Sequence, residues 1–170
     1  ITDDVCEALK EGRTPIVLTG LTAHVETLAK ALAPHCKHVV TLVGSEPAKE
    51  KLRRMEYLQN VNPSEPLVIV ATGKYVGEGF DYPRLDTLFL ALPVSWKGIV
   101  AQYAGRLHRE YTGKKEVRIY DYIDIRMPMC DVMYRRRLKG YASVGYRIKQ
   151  EKPVDVSAES LQGIIFNGHT

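Results

Sequence analysis

Residues 66–71 read Pro66-Leu67-Val68-Ile69-Val70-Ala71, and the chain continues Thr72-Gly73-Lys74-Tyr75-Val76-Gly77-Glu78-Gly79-Phe80-Asp81. The first run is apolar almost without interruption, the pattern of a strand covered on both faces rather than one with a side in water. Such a strand belongs to a parallel sheet with helices above and below it. The ten residues that follow carry three glycines, one lysine and two carboxylates. In open parallel sheets ligands gather at the carboxyl ends of strands. A loop placed there can offer backbone N–H groups to phosphates and carboxylates to ribose hydroxyls. Tight turns at Gly77 and Gly79, with Asp81 capping one, account for the same residues equally well.

On either side of this stretch, strand and helix patterns alternate. Residues 15–19, 38–43 and 86–92 are further short β-rich runs, and residues 116–123 alternate as an edge or late strand would. Residues 2–10 suit a short helix. Val25, Leu28, Ala29 and Leu32 repeat at helical spacing behind Thr22 as the expected cap, and Leu52, Met55 and Leu58 do so within residues 48–60. On that last helix Glu50 and Arg54 are expected to pair across one turn. At least four alternations at short loop spacing predict a parallel, doubly covered α/β sheet.

A helix opened by Ser95 and running to Arg109 has two faces. Val100, Tyr103, Ala104 and Leu107 make an apolar stripe that buries it, and Gln102, Gly105, Arg106 and Arg109 lie opposite. Two arginines one turn apart form a fork suited to phosphate oxygens; a solvated outer face that happens to be basic explains them as well. Beyond Asp124 the character changes. Residues 131–141 look helical, with Arg135-Arg136-Arg137 and Lys139, and Tyr141 and Tyr146 follow closely. Basic residues beside aromatics could grip nucleic acid, and a helix strapped back onto acidic surface accounts for them too. From Gln150 onward no pattern stands out, and a loosely held tail is expected.

With 170 residues, the chain is long enough for one substantial core and short for two. A hydrophobic content of 45% and a charged content of 26% place it among globular proteins rather than disordered or fibrous ones. No apolar run approaches the ~20 residues of a membrane span. A net charge of +4 allows a polyanionic partner without requiring one. Cys6, Cys36 and Cys130 are odd in number and far apart, without disulfide or zinc-site spacing, so reduced thiols and a cytoplasmic setting are expected. The chain opens at Ile1 with no initiator methionine or signal-peptide pattern, as a piece of something longer would.

Ala71-Thr72, Glu78-Gly79-Phe80-Asp81-Tyr82-Pro83 and Gln102-x-x-Gly105-Arg106-x-x-Arg109 together resemble the fifth and sixth motifs of superfamily 2 helicases and translocases. The spacing between them, with Leu92-Pro93 and Ser95 intervening, matches as well. Glu-Gly-Phe-Asp ahead of a proline is most similar to the helicase subunits of restriction enzymes and related bacterial DEAD/DEAH-box-type proteins. The resemblance covers residues 14–123. It implies a RecA-like, P-loop NTPase-like helicase C-terminal domain over residues 1–125, followed by a helical extension at 126–150 and a tail at 151–170. Arg109 then matches the arginine finger, Arg106 its companion toward the γ-phosphate, and Gln102 a residue facing the same nucleotide. Gly79 and Asp81, with Glu78 beside them, match positions that approach the phosphate and ribose. Thr72 and Lys74, with Thr19 and Gly20 in the fourth-motif place, match the nucleic-acid side. Gly44 followed by Glu50 and Lys51 is similar to the family's glycine-then-Glu-Arg helix, with lysine in place of the arginine.

The sequence has no G-x-x-x-x-G-K-[ST] loop; Gly113-Lys114-Lys115 lacks both the upstream glycine and the hydroxyl residue. No strand ends in the acidic magnesium motif. The resemblance therefore implies that ATP and Mg²⁺ are bound mainly by an N-terminal RecA-like domain outside these residues, that no metal is held here, and that this chain alone is silent. Its expected partners are that domain and nucleic acid, DNA favoured over RNA, with no membrane. The competing reading is a non-catalytic module of RecA-like fold that binds nucleic acid or protein. A different α/β enzyme using Asp81 or His108 lacks a nucleophile-plus-base constellation.

Overall fold

The computed structural model describes residues 1–77, 79–94, 100–124, 127–149 and 161–169. Helices α1 (Thr2–Lys10), α2 (Thr22–Leu32), α3 (Ala48–Asn60), α4 (Gly73–Gly77), α5 (Ala101–Leu107) and α6 (Pro128–Ser143) alternate with strands β1 (Pro15–Thr19), β2 (His38–Leu42), β3 (Leu67–Thr72), β4 (Thr87–Ala91) and β5 (Glu116–Asp124). Two further strands, β6 (Arg147–Lys149) and β7 (Leu161–His169), complete a sheet ordered β2-β3-β1-β4-β5-β7-β6. The first five pair in parallel, and β7 runs antiparallel to both β5 and β6.

Side chains on a strand point alternately to opposite faces, so each apolar run here feeds two cores. Ile16, Leu18, Leu67, Ile69, Leu88, Leu90, Val117 and Ile119 face one side, where α3, α4, α5 and α6 pack. Val17, Val68, Val70, Phe89, Tyr120 and Tyr122 face the other, against Val5 and Ala8 of α1 and Val25, Leu28 and Leu32 of α2. Helices cover both faces, as the unbroken apolarity of residues 66–71 predicts. The amino edge of the sheet is tied by Arg13, which donates to Thr87 Oγ1 (2.5 Å) and to Glu116 Oε1 (3.2 Å).

Several expectations need correction. The stretch after β3 is not simply a loop: residues 73–77 close into the single turn of α4. Thr22 is the first helical residue rather than the cap; Leu21 is the N-cap, and no side chain bonds there. Glu50 pairs with Arg53 (2.8 Å), while Arg54 turns to Glu46 (2.9 Å), which the sequence places near in space but not on the helix. Strand β5 is interior, because β7 pairs along its whole length where a loose tail was expected. The β-prone Ile164-Ile165-Phe166 sits between Gly163 and Asn167-Gly168, and those flanking residues mask its strand signal. Of the triple-arginine helix only Arg137 is strapped down, in line with one of the two readings of that stretch, while Arg135, Arg136 and Lys139 are exposed. Arg137 is 1% exposed and donates to both carboxylate oxygens of Asp121 (2.7 and 2.8 Å).

Candidate nucleotide and nucleic-acid edge

The carboxyl ends of β1, β3 and β4 lie level with one another: Thr19 is in register with Thr72 on one side and Ala91 on the other. This edge therefore gathers the segments that the sequence singles out. Both threonine side chains are turned inward. Thr19 Oγ1 lies 2.8 Å from His24 Nδ1, and Thr72 Oγ1 accepts the Gly44 N–H at 3.1 Å. The Thr72 bond ties the glycine after β2 to the end of β3, so two neighbouring loops share one anchor. Gly20 and Lys74 are exposed on the same edge, and the Lys74 stem lies against Gly44, 3.4 Å from where a Cβ would stand. Lys51, the residue in the family's arginine place, sits over the Tyr75 ring at 5.3 Å.

The second cluster is built where α5 meets the end of the α4 segment. Val100, Tyr103, Ala104 and Leu107 are buried as the apolar stripe requires. The Tyr103 hydroxyl donates to Gly73 O (2.5 Å), and burial pushes its pKa up to about 12, so it remains a donor at neutral pH. Arg106 donates through Nη1 to Val76 O, fixing the base of its guanidinium to α4. A guanidinium has five N–H donors, so most of this one remains for another acceptor. Gln102 and Gly105 are exposed on the same face.

Helix α5 ends at Leu107, and Arg109 lies just beyond it, its N–H bonded to Arg106 O (3.3 Å). Its side chain is 62% exposed, with Nε 3.7 Å from Asp81 Oδ1. Gly79 is exposed two residues before that carboxylate at φ +100°, with no atom within 4 Å of a Cβ built on it. Glu78 and Ser95 lie outside the described residues, so the expectations placed on them have no structural counterpart. Arg106, Arg109, Gly79 and Asp81 are thus brought to one rim. Thr19, Gly20, Thr72 and Lys74 lie along the adjoining edge.

One residue here, Lys114, carries no sequence signal. Lys114 donates to Pro83 O (2.6 Å), Leu107 O (2.9 Å) and Arg109 O (2.7 Å). His108 packs edge-on against Tyr146, ring centroids 5.4 Å apart, so the segment after α6 touches the turn that carries Arg109. Burial, with help from Lys114, holds the His108 imidazole below its usual range. Among the described residues no group of three or more His, Cys, Asp or Glu side chains could hold a metal ion, and no helix is long and apolar enough to cross a membrane.

No protein-family model matches the chain. Over 118 residues it is 33% identical to "Putative helicase 161L" of Invertebrate iridescent virus 6; the match takes in 68% of this chain and 22% of the relative. The chain thus spans about a fifth of the length of that curated relative. Among solved structures, T4 UvsW superposes with a TM-score of 0.64 at 19% identity, over 84% of this chain and 31% of that one. The C-terminal part of the Fun30 ATPase domain gives 0.51 at 17% identity, over 66% and 35%. Cofactor-bound Rv0187 from MTB gives 0.55 at 18% identity, over 98% and 78%. At these identities the likenesses concern the fold alone, an α/β fold of RecA-like type with helices on both faces of the sheet.

Proposed function

We propose that this chain, which has the fold of a superfamily 2 helicase C-terminal domain, is the second motor domain of an ATP-dependent helicase or translocase. The observation that carries the reading is the meeting of Arg109 with Asp81, 3.7 Å apart, from two motifs separated in sequence. Arg109 supplies the finger that neutralises charge building on the transferred phosphoryl group. Arg106, braced on Val76 O, keeps its remaining donors for the same phosphate, and Gln102 stands on the same face. The exposed amide at Gly79 and the Asp81 carboxylate suit a phosphate and a ribose hydroxyl. This donor set fits a nucleotide shared with another domain. When bound, ATP with its Mg²⁺ supplies the phosphoryl chemistry; the residues here orient and neutralise.

The adjoining edge, with Gly20, Lys74 and the backbone around Thr19 and Thr72, takes a nucleic-acid backbone, DNA before RNA. With both threonine hydroxyls bonded inward, main-chain N–H groups and the Lys74 ammonium make that contact. The N-terminal RecA-like domain holds the nucleotide's other side, and this chain alone turns over no ATP.

Steady-state ATP hydrolysis by the whole protein, with and without single- and double-stranded DNA and RNA, tests the reading beside its Arg109→Ala variant. Nucleic acid is expected to stimulate turnover. Removal of the finger is expected to lower kcat by about 10³ or more while nucleotide still binds. Turnover indifferent to Arg109, or none at all, returns the chain to a binding module with a basic surface.

A further inference from the structure

After α5 the chain passes Arg109, turns through Gly113 at φ +89° and brings Lys114 back beneath the helix end. There its Nζ meets three main-chain carbonyls, those of Pro83 (2.6 Å), Leu107 (2.9 Å) and Arg109 (2.7 Å). An ammonium has three donors and no acceptor, so its capacity is fully used. Helix C-termini leave carbonyls without partners and favour a cation, which accounts for the bond to Leu107 O, and Arg109 O lies in the turn just past that end. The third is different in kind. Pro83 lies two residues after Asp81, on the other segment of the candidate nucleotide rim. One side chain thus joins the backbone that carries Arg109 to the backbone that carries Asp81.

We propose that Lys114 is a positioning residue that sets the spacing between the Asp81 segment and Arg109, holding the finger in place without touching the nucleotide. The catalytic part of this inference rests on the motor reading given above; the positioning part rests on the three bonds alone. A lysine whose donors are all engaged by carbonyls is not placed to bind phosphate. A guanidinium, planar and wider, cannot serve three carbonyls converging on one point.

The first arm of the test needs no catalysis. Amide hydrogen exchange of the 170-residue chain is compared with that of Lys114→Met, which keeps the apolar stem and removes the donors. Exchange at the Arg109 amide and its neighbours is expected to accelerate about tenfold, with the β1 and β3 amides unchanged. Unaltered exchange at Arg109 overturns the proposal. The second arm uses the whole protein. Lys114→Met is expected to lower kcat for ATP about tenfold at unchanged KM, with no further loss when combined with Arg109→Ala. Lys114→Arg is expected to recover only part. A raised KM, an additive loss in the Arg109→Ala background, or full recovery by arginine overturns the proposal. Absence of turnover in the wild-type protein defeats the motor reading instead, and the exchange result still decides the positioning claim.

Discussion

Gly79 is the residue at which backbone geometry and candidate chemistry coincide. At φ +100° an L side chain is strained, and the space around it is open, so substitution meets no steric obstacle besides the backbone itself. Gly79→Ala is therefore expected to cost about 1–2 kcal/mol, the penalty of the left-handed region alone. Urea unfolding reads it directly; an unchanged midpoint means that the segment relaxes out of this conformation and that the glycine is there for another reason. Asp81, Arg106 and Arg109 stand in the sequence for their types and spacing, because charged groups at fixed intervals on a glycine-bearing stretch leave a linear trace. Lys114 leaves none. Its role depends on three carbonyls contributed by Pro83, Leu107 and Arg109, and main-chain acceptors are the same at every residue. The inward turn of Thr19 and Thr72 is hidden for a related reason: a strand-end threonine reads alike whether its hydroxyl meets solvent, His24 or the Gly44 amide.

Among the elements, α6 is the one whose sequence leaves two readings open, and the structure buries one of its arginines and exposes others. Three consecutive arginines look like a surface for polyanions, yet they point in different directions around a helix, and only the structure assigns each its environment. Arg135 pairs with Asp131 at the surface (2.9 Å), whereas Arg137 is buried against Asp121, whose carboxylate also accepts the Tyr141 hydroxyl (3.1 Å). Asp121 alternates with Ile119 and Ile123 on β5, so the strand carries one charge into an apolar face. Burial pushes its pKa up, opposed by the Arg137 fork and the Tyr141 hydroxyl. Arg137 also donates to Val94 O, so the buried pair couples α6 to the residues that follow β4. Arg137→Met is expected to cost about 3–5 kcal/mol, because it strands the Asp121 carboxylate without its partner. Combining it with Asp121→Leu is expected to recover most of that loss, since no unpaired charge remains. Equilibrium unfolding of both variants separates the cases; a double variant no more stable than the single one places the cost in lost packing instead. The five parallel strands and the helices α2, α3 and α5 between them were legible because hydrophobic period survives in sequence, whereas the single turn of α4 was not. For α6 the sequence offered a strapped helix as one of two readings but could not name the arginine or its partner, because that partner lies on β5 and a pairing between elements has no local signature.

For the whole molecule, the question is what completes the sheet beyond β5. Among the residues whose side chains are described, the two core clusters come from β1 to β5, the helices α1 to α6 and the connecting segments. Strand β5 is held to β4 by parallel pairing and by stacked rings, with Phe89 4.4 Å from Tyr120 and 6.5 Å from Tyr122. Aromatic contacts of this kind add to the burial itself. The pairing with β7 then covers the outer edge of β5 along all nine of its residues. A chain ended after residue 149 should keep the parallel sheet and unfold cooperatively, at a lower denaturant midpoint. Its exposed β5 edge would present unpaired N–H and C=O groups, the usual template for pairing with another chain. Concentration-dependent self-association is therefore expected of the shortened chain and not of the full 170 residues. Light scattering over a concentration series, run beside urea unfolding, tests both halves. A shortened chain that folds and stays monomeric leaves β7 without a role in covering the edge. One that fails to fold makes the last strand part of the core's stability.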